Sequence, residues 1–119
     1  GVEDKVTFIN GDILSKETQA LLPSVEAAFL DPDWAVTGSN HQYKFIDSNT
    51  CPPSDTLLNL IFSKTSNVML IQPPFINTDE FNKLPAHECE YLYLNNKHEL
   101  FCLYFGCLAR CIGISEYRV

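Results

Sequence analysis

The chain is 119 residues long, carries a formal charge of −7 at pH 7 with pI ≈ 4.7, and is 45% hydrophobic and 12% aromatic. That is the size of one domain with ample apolar side chain for a core. Its eight Lys and Arg are scattered with no two adjacent, which argues against nucleic acid as a partner, and its longest apolar run, residues 100–109, ends at Arg110, too short to span a membrane.

The opening residues Gly1-Val2-Glu3-Asp4-Lys5 are acidic, and no apolar stretch of a secretory signal follows them. With no export signal, the odd count of five cysteines reads as reduced thiols, not a disulfide framework. The expectation is a cytoplasmic or nuclear location. The abrupt ends suggest one globular domain over residues 1–119, excised from a larger eukaryotic or viral protein.

Residues 5–10 (KVTFIN) are rich in β-formers and precede a Gly11-Asp12 turn, which predicts a first strand. Residues 15–22 predict a helix with Ser15 as N-cap and Glu17 in the first turn. Pro23 interrupts it. Residues 24–30 (SVEAAFL) predict a short helical continuation, stopped at Asp31-Pro32-Asp33. Residues 34–37 and 42–46 predict two short strands around Gly38-Ser39-Asn40, and residues 47–53 a loop. Ser54 is expected to cap a helix over residues 55–64, whose apolar side chains at 57, 58, 60, 61 and 62 form one broad face. Residues 67–72 (NVMLIQ) give the clearest strand, apolar without alternation from Val68 to Ile71. Thr78 is expected to cap a helix running to Leu84, with Pro85 stopping it.

The densest apolar stretch, residues 89–114, holds four of the five cysteines and reads as the structural centre. Residues 90–94 and 99–105 predict a hairpin turned by Asn95, Asn96 and Lys97, because asparagine tolerates the positive φ of tight turns. Residues 100–105 are apolar throughout, which predicts a central strand. A single buried helix over residues 98–112 fits the same pattern, and residues 107–114 fit either a strand or a short helix. Together the elements predict an α/β or α+β fold: a mixed β-sheet with helices packed on it, and the C-terminal hydrophobic hairpin as its central strands.

The chemical motifs are sparse. His98, Cys102, Cys107 and Cys111 offer zinc-type donors, but no CxxC knuckle is present and Cys102 lies between Phe101 and Leu103, as a packed thiol would. Cys89 with His87 or His98 is the candidate cysteine–base pairing for a nucleophile, and no catalytic signature surrounds it. Asp12 follows the predicted first strand, where open sheets place ligand-binding residues, and Asp47 and His41 are its candidate companions. Asp is also the ordinary residue of turns. Trp34, Phe75 and Ile76 are large apolar groups beside turns, and candidate anchors for a protein partner.

The stretch Phe8-Ile9-Asn10-Gly11-Asp12-Ile13, followed by Ala20-Leu21-Leu22, resembles the opening of a macro domain. That resemblance implies a strand, a Gly-Asp-Ile turn and a second apolar strand leading to an Asn-Ala-Ala-Asn ligand loop. Here the loop position reads Pro23-Ser24-Val25-Glu26, and the glycine-rich phosphate loops are missing. It therefore implies a degenerate module that has lost ADP-ribose binding.

The leading functional expectation is a non-catalytic interaction or scaffold domain whose partner is a protein, a basic one by charge. No catalytic residue, metal ligand or cofactor is assigned. The alternatives are a small ligand-binding or hydrolase-type domain centred on Asp12, and a zinc-stabilised adaptor.

Overall fold

The Asn95-Asn96 pair sets the frame of the molecule. Both residues have positive φ, 50° and 63°, which is the two-residue hairpin turn whose twist matches its flanking strands. The computed structural model describes residues 1–34 and 43–119, the side chains of Val2 and Glu3 excepted. In it, the turn joins β3 (His87–Leu94) to β4 (Lys97–Phe105). Lys97 thus belongs to the strand, and both strands begin earlier than the sequence pattern predicts. A bulge between Leu92 and Tyr93, where Glu99 is the extra residue on β4, puts His98 and Phe101 on one face and Leu100 on the other.

Among the described residues, five strands form one mixed sheet in the order β1-β2-β4-β3-β5, with β1 (Ala28–Leu30), β2 (Val68–Gln72) and β5 (Gly113–Arg118) completing it. β4 is the middle strand and antiparallel to both neighbours, while β1–β2 and β3–β5 pair in parallel. The hairpin therefore supplies two interior strands, and the buried-helix alternative falls away. With its few helices, the molecule is an α+β fold.

The core lies on one face of the sheet. Alternation puts Leu30, Val68, Leu70, Phe101, Leu103 and Phe105 on that face, where they are buried. They pack against Leu57, Leu58 and Ile61 of α2 (Ser54–Phe62) and against Phe45, Ile76 and Phe81 from the connections. α2 carries the expected apolar stripe. Its cap differs, because the N-cap is Pro53 and Ser54 turns its hydroxyl inward, where Gln72 Nε2 donates to it at 2.8 Å. Buried Gln72 needs that partner more than the helix end does, since solvent can satisfy an exposed N–H.

Four further expectations are corrected. Residues 5–10 form no strand; a 3-10 helix covers Val2–Lys5 and the rest has no regular structure. Residues 24–30 are not helical, because Ala28–Leu30 is drawn into the sheet beside β2, with Ala28 N–H donating to Asn67 O at 2.9 Å. Pairing across the sheet outweighs the helix preference of so short a segment. Thr78–Lys83 is a 3-10 helix capped by Asn77, whose side chain accepts from Asp79 N–H at 3.0 Å. Tyr43 pairs with Ile76 as an isolated bridge and not in a ladder, and residues 45–48 form a turn, so residues 43–46 are no strand. The expected strand over 34–37 lies mostly outside the described residues. By contrast α1 (Lys16–Leu21) is capped by Ser15 as its sequence indicates, the Ser15 Oγ accepting from Thr18 N–H. Among the described residues, no helix is long and apolar enough to cross a membrane.

The macro-domain resemblance does not extend to the structure. Its first strand would be residues 5–10, which form none, and Ala20 and Leu21 of its second strand lie in α1.

Candidate functional site at the outer edge of the sheet

β5 is unlike the other strands. Gly106, at φ 65°, ends β4 and turns the chain where a side chain would collide with Ser66 and Asn67. The connection then passes the start of β3 and lays β5 along its far side, pairing Cys89 with Ile114 and Glu90 with Ser115. β5 buries little. Ile114 is 74% exposed and Tyr117 53%, with Ile112 just before the strand at 69%. The strand cannot be held by apolar burial.

A polar latch holds it. Glu88 and Glu90 are two apart on β3, so both carboxylates project from the sheet face opposite the core, and both are buried. Arg110 lies over them from the connection. Its Nη2 donates to Glu88 Oε2 at 3.2 Å and to Glu90 Oε2 at 2.9 Å, and its backbone N–H donates to Glu88 Oε1 at 3.0 Å. Ser115 of β5 donates its hydroxyl to Glu88 Oε2 at 2.6 Å, and Tyr104 of β4 donates to Glu90 Oε1 at 2.8 Å. Every carboxylate oxygen is thereby engaged, which is what makes two charges tolerable in the sheet. Burial raises the Glu88 pKa, but the Ser115 hydroxyl and both Arg110 contacts outweigh it and hold the group below its ordinary 4.5. Burial and the Glu90 bond push the Tyr104 hydroxyl well up, so it remains a donor. The latch is a fixed-charge fastening that ties the connection and β5 to β3 and β4.

On the core face, β5 runs beyond the helical cover and leaves a cleft of about 420 Å³. Phe81 and Leu84 form one wall, Cys89 and Tyr91 the floor, and Ile112 and Ile114 the other wall, with Asp79 contributing negative charge. Arg118 at the end of β5 bonds Glu116 at 3.3 Å and stacks 4.1 Å from the Tyr93 ring centre, which partly blunts the edge. The outward backbone groups of β5 have no partner among the described residues.

The residues singled out in the sequence fall elsewhere. Asp12 accepts from Leu14 N–H at 2.9 Å and forms a local turn. Asp47 sits at φ 51° with its N–H on Asp55 Oδ2 at 3.0 Å. Neither lines the cleft or the two shallower grooves of the sheet's second face, and His41 lies outside the described residues. Ile76 is buried in the core and cannot anchor a partner from the surface. Trp34 packs against the core and lines a groove with Phe29, Ile71 and Leu100, while Phe75 is exposed at 58%.

The zinc donors are dispersed. His98 stacks on Tyr91 and meets Phe101 edge-on on the core side, whereas Cys102 points to the other face. Among the described residues, no three His, Cys, Asp or Glu side chains converge on one point. Burial pushes Cys89 up to about 11, with Cys102 adding to it, and this is opposite to what a nucleophilic thiol needs. His87 beside it directs Nδ1 to Pro85 O at 2.8 Å.

Sequence reasoning missed the latch and the edge. The signal for the latch was present: Glu88-Cys89-Glu90-Tyr91 alternates polar with apolar, and Arg110 is the only Lys or Arg between Lys97 and Arg118. No protein-family model matches the chain, and no curated protein matches it in sequence.

Proposed function

We propose that this chain is a non-catalytic protein-interaction domain that takes up an extended, apolar and cationic peptide segment along the outer edge of β5. The observation that carries this reading is the edge itself. It is a six-residue strand whose outward backbone has no partner among the described residues, with exposed Ile112, Ile114 and Tyr117, lying beside an apolar cleft. Strand addition uses that combination: backbone hydrogen bonds give affinity and neighbouring pockets give side-chain selectivity. The charge preference follows from the net −7 and from Asp79 in the cleft wall, which steer a cationic segment and disfavour an acidic one. The polar latch presents the edge without requiring it to be buried.

The test is to select extended peptides against the folded protein and map each by amide chemical shifts. The expected footprint covers residues 112–119 and the 3-10 helix Thr78–Lys83, with Lys- or Arg-bearing peptides preferred. Ile114→Lys with Tyr117→Lys places charge on the edge and abolishes that footprint while the fold stays intact. Footprints concentrated on Asp12 and Asp47 instead would overturn the reading.

A further inference from the structure

The chain itself contains a segment of the kind that edge would accept. Residues 5–10 (KVTFIN) hold one positive charge, no acid, no proline and no glycine, and their composition is that of a strand. They form no strand in the monomer. Val6 is 44% exposed and Phe8 90%, and among the described residues the backbone of residues 6–10 makes no hydrogen bond. Among the described residues, a β-forming segment without a ladder and a strand edge without a neighbour are complementary defects of one molecule. The segment and β5 are both six residues long. Phe8 is also the most exposed of the large apolar side chains described, and its burial on association is the largest apolar gain open to this region.

From this we infer that the partner on the β5 edge is a second copy of this chain, whose residues 5–10 add as a sixth strand. The inference rests on the strand-addition reading above and names its occupant. Backbone hydrogen bonds form between the segment and the outward side of β5, and Val6 and Phe8 lie against the exposed apolar groups of the edge. Two reciprocal exchanges close a dimer with two identical contacts, whereas one exchange leaves a free segment and a free edge to propagate. Six residues make a small interface, so the equilibrium is weak and strongly dependent on concentration.

The experiment is sedimentation velocity over a wide concentration range on the folded chain and two variants. Phe8→Asp disables the segment, and Ile114→Lys with Tyr117→Lys disables the edge; all three positions are solvent-exposed, so the fold is retained. The wild type is expected to self-associate, and each variant alone to associate at least about tenfold more weakly. Mixed together, the two variants are expected to restore one contact and form a heterodimer, since one supplies an intact edge and the other an intact segment. A wild type that stays monomeric throughout, or variants that associate as well as the wild type, would overturn the inference. Titration with an unrelated extended Lys-bearing apolar peptide separates the two readings. If that peptide perturbs the β5 amides while the chain stays monomeric, the self-association inference fails alone; if neither it nor the KVTFIN peptide does, both fail.

Discussion

The two sides of β3 are held by different physics. On one side, β4 and β2 are fastened by dry apolar contact: Leu103, Leu70 and Val68 are fully buried and Phe105 is 1% exposed. On the other, β5 has mostly exposed side chains and depends on its ladder to β3 and on a hydrogen-bonded charge cluster. Apolar burial is undirected and additive, so the first side behaves as a core. A polar latch is all-or-none in its geometry, and removing one member strands the others. The contrast teaches why the edge stays available. A strand fixed by burial would have spent its apolar groups inward, whereas this one is fixed through Ser115 and Arg110 and leaves Ile114 and Tyr117 facing outward.

The contrast can be broken from either side. Leu103→Ala, at the centre of the sheet, is expected to lower global stability by about 2–5 kcal/mol in denaturant titration, through lost transfer energy and a cavity. Removing the latch is a smaller, local change. Glu88→Ala leaves the Ser115 hydroxyl and the Arg110 backbone N–H without their acceptor and the Arg110 guanidinium with Glu90 alone, at a cost of about 1–3 kcal/mol concentrated in β5 and its connection. Loss of stability spread equally over β2 and β4 would show that the latch is merely another core contact.

Acid gives the mildest form of the same break. The Glu88 pKa lies below its ordinary 4.5 in the folded state, so its contribution is complete above 4.5 and declines as pH falls through that value toward the folded pKa. Release of β5 below pH 4.5, followed by amide shifts, is the expected outcome. The Leu103 contribution has no such pH dependence.

How far the sequence could be read follows from the same division. Elements whose pattern is local and apolar were legible. The strand predicted over residues 67–72, the α2 stripe, and the Asn95-Asn96 hairpin with its apolar run over residues 100–105 all form, although both hairpin strands begin earlier than their pattern indicates. Elements set by pairing partners were not. SVEAAFL has the composition of a helix, yet Ala28–Leu30 becomes β1 because β2 offers an open parallel edge. KVTFIN has the composition of a strand and stays unpaired. The same limit hid the β5 edge: the exposure of Ile114 depends on where the connection ends, not on the residue. Of the candidate anchors, Ile76 folds into the core while Phe75, its neighbour, stays exposed, a difference their shared position beside Pro73-Pro74 does not encode. Asp12 was singled out on the premise of a preceding strand that does not form.

The most direct measurement is residue-resolved native-state hydrogen exchange at neutral pH, comparing the β5 amides bonded to β3 with the β4 amides bonded to β2. The two-fastening account predicts that β5 opens in a separate, lower-energy step, selectively accelerated by Glu88→Ala, while β4 exchanges only on global unfolding. Exchange of β5 and β4 through one common global opening, unchanged in order by that substitution, would contradict it.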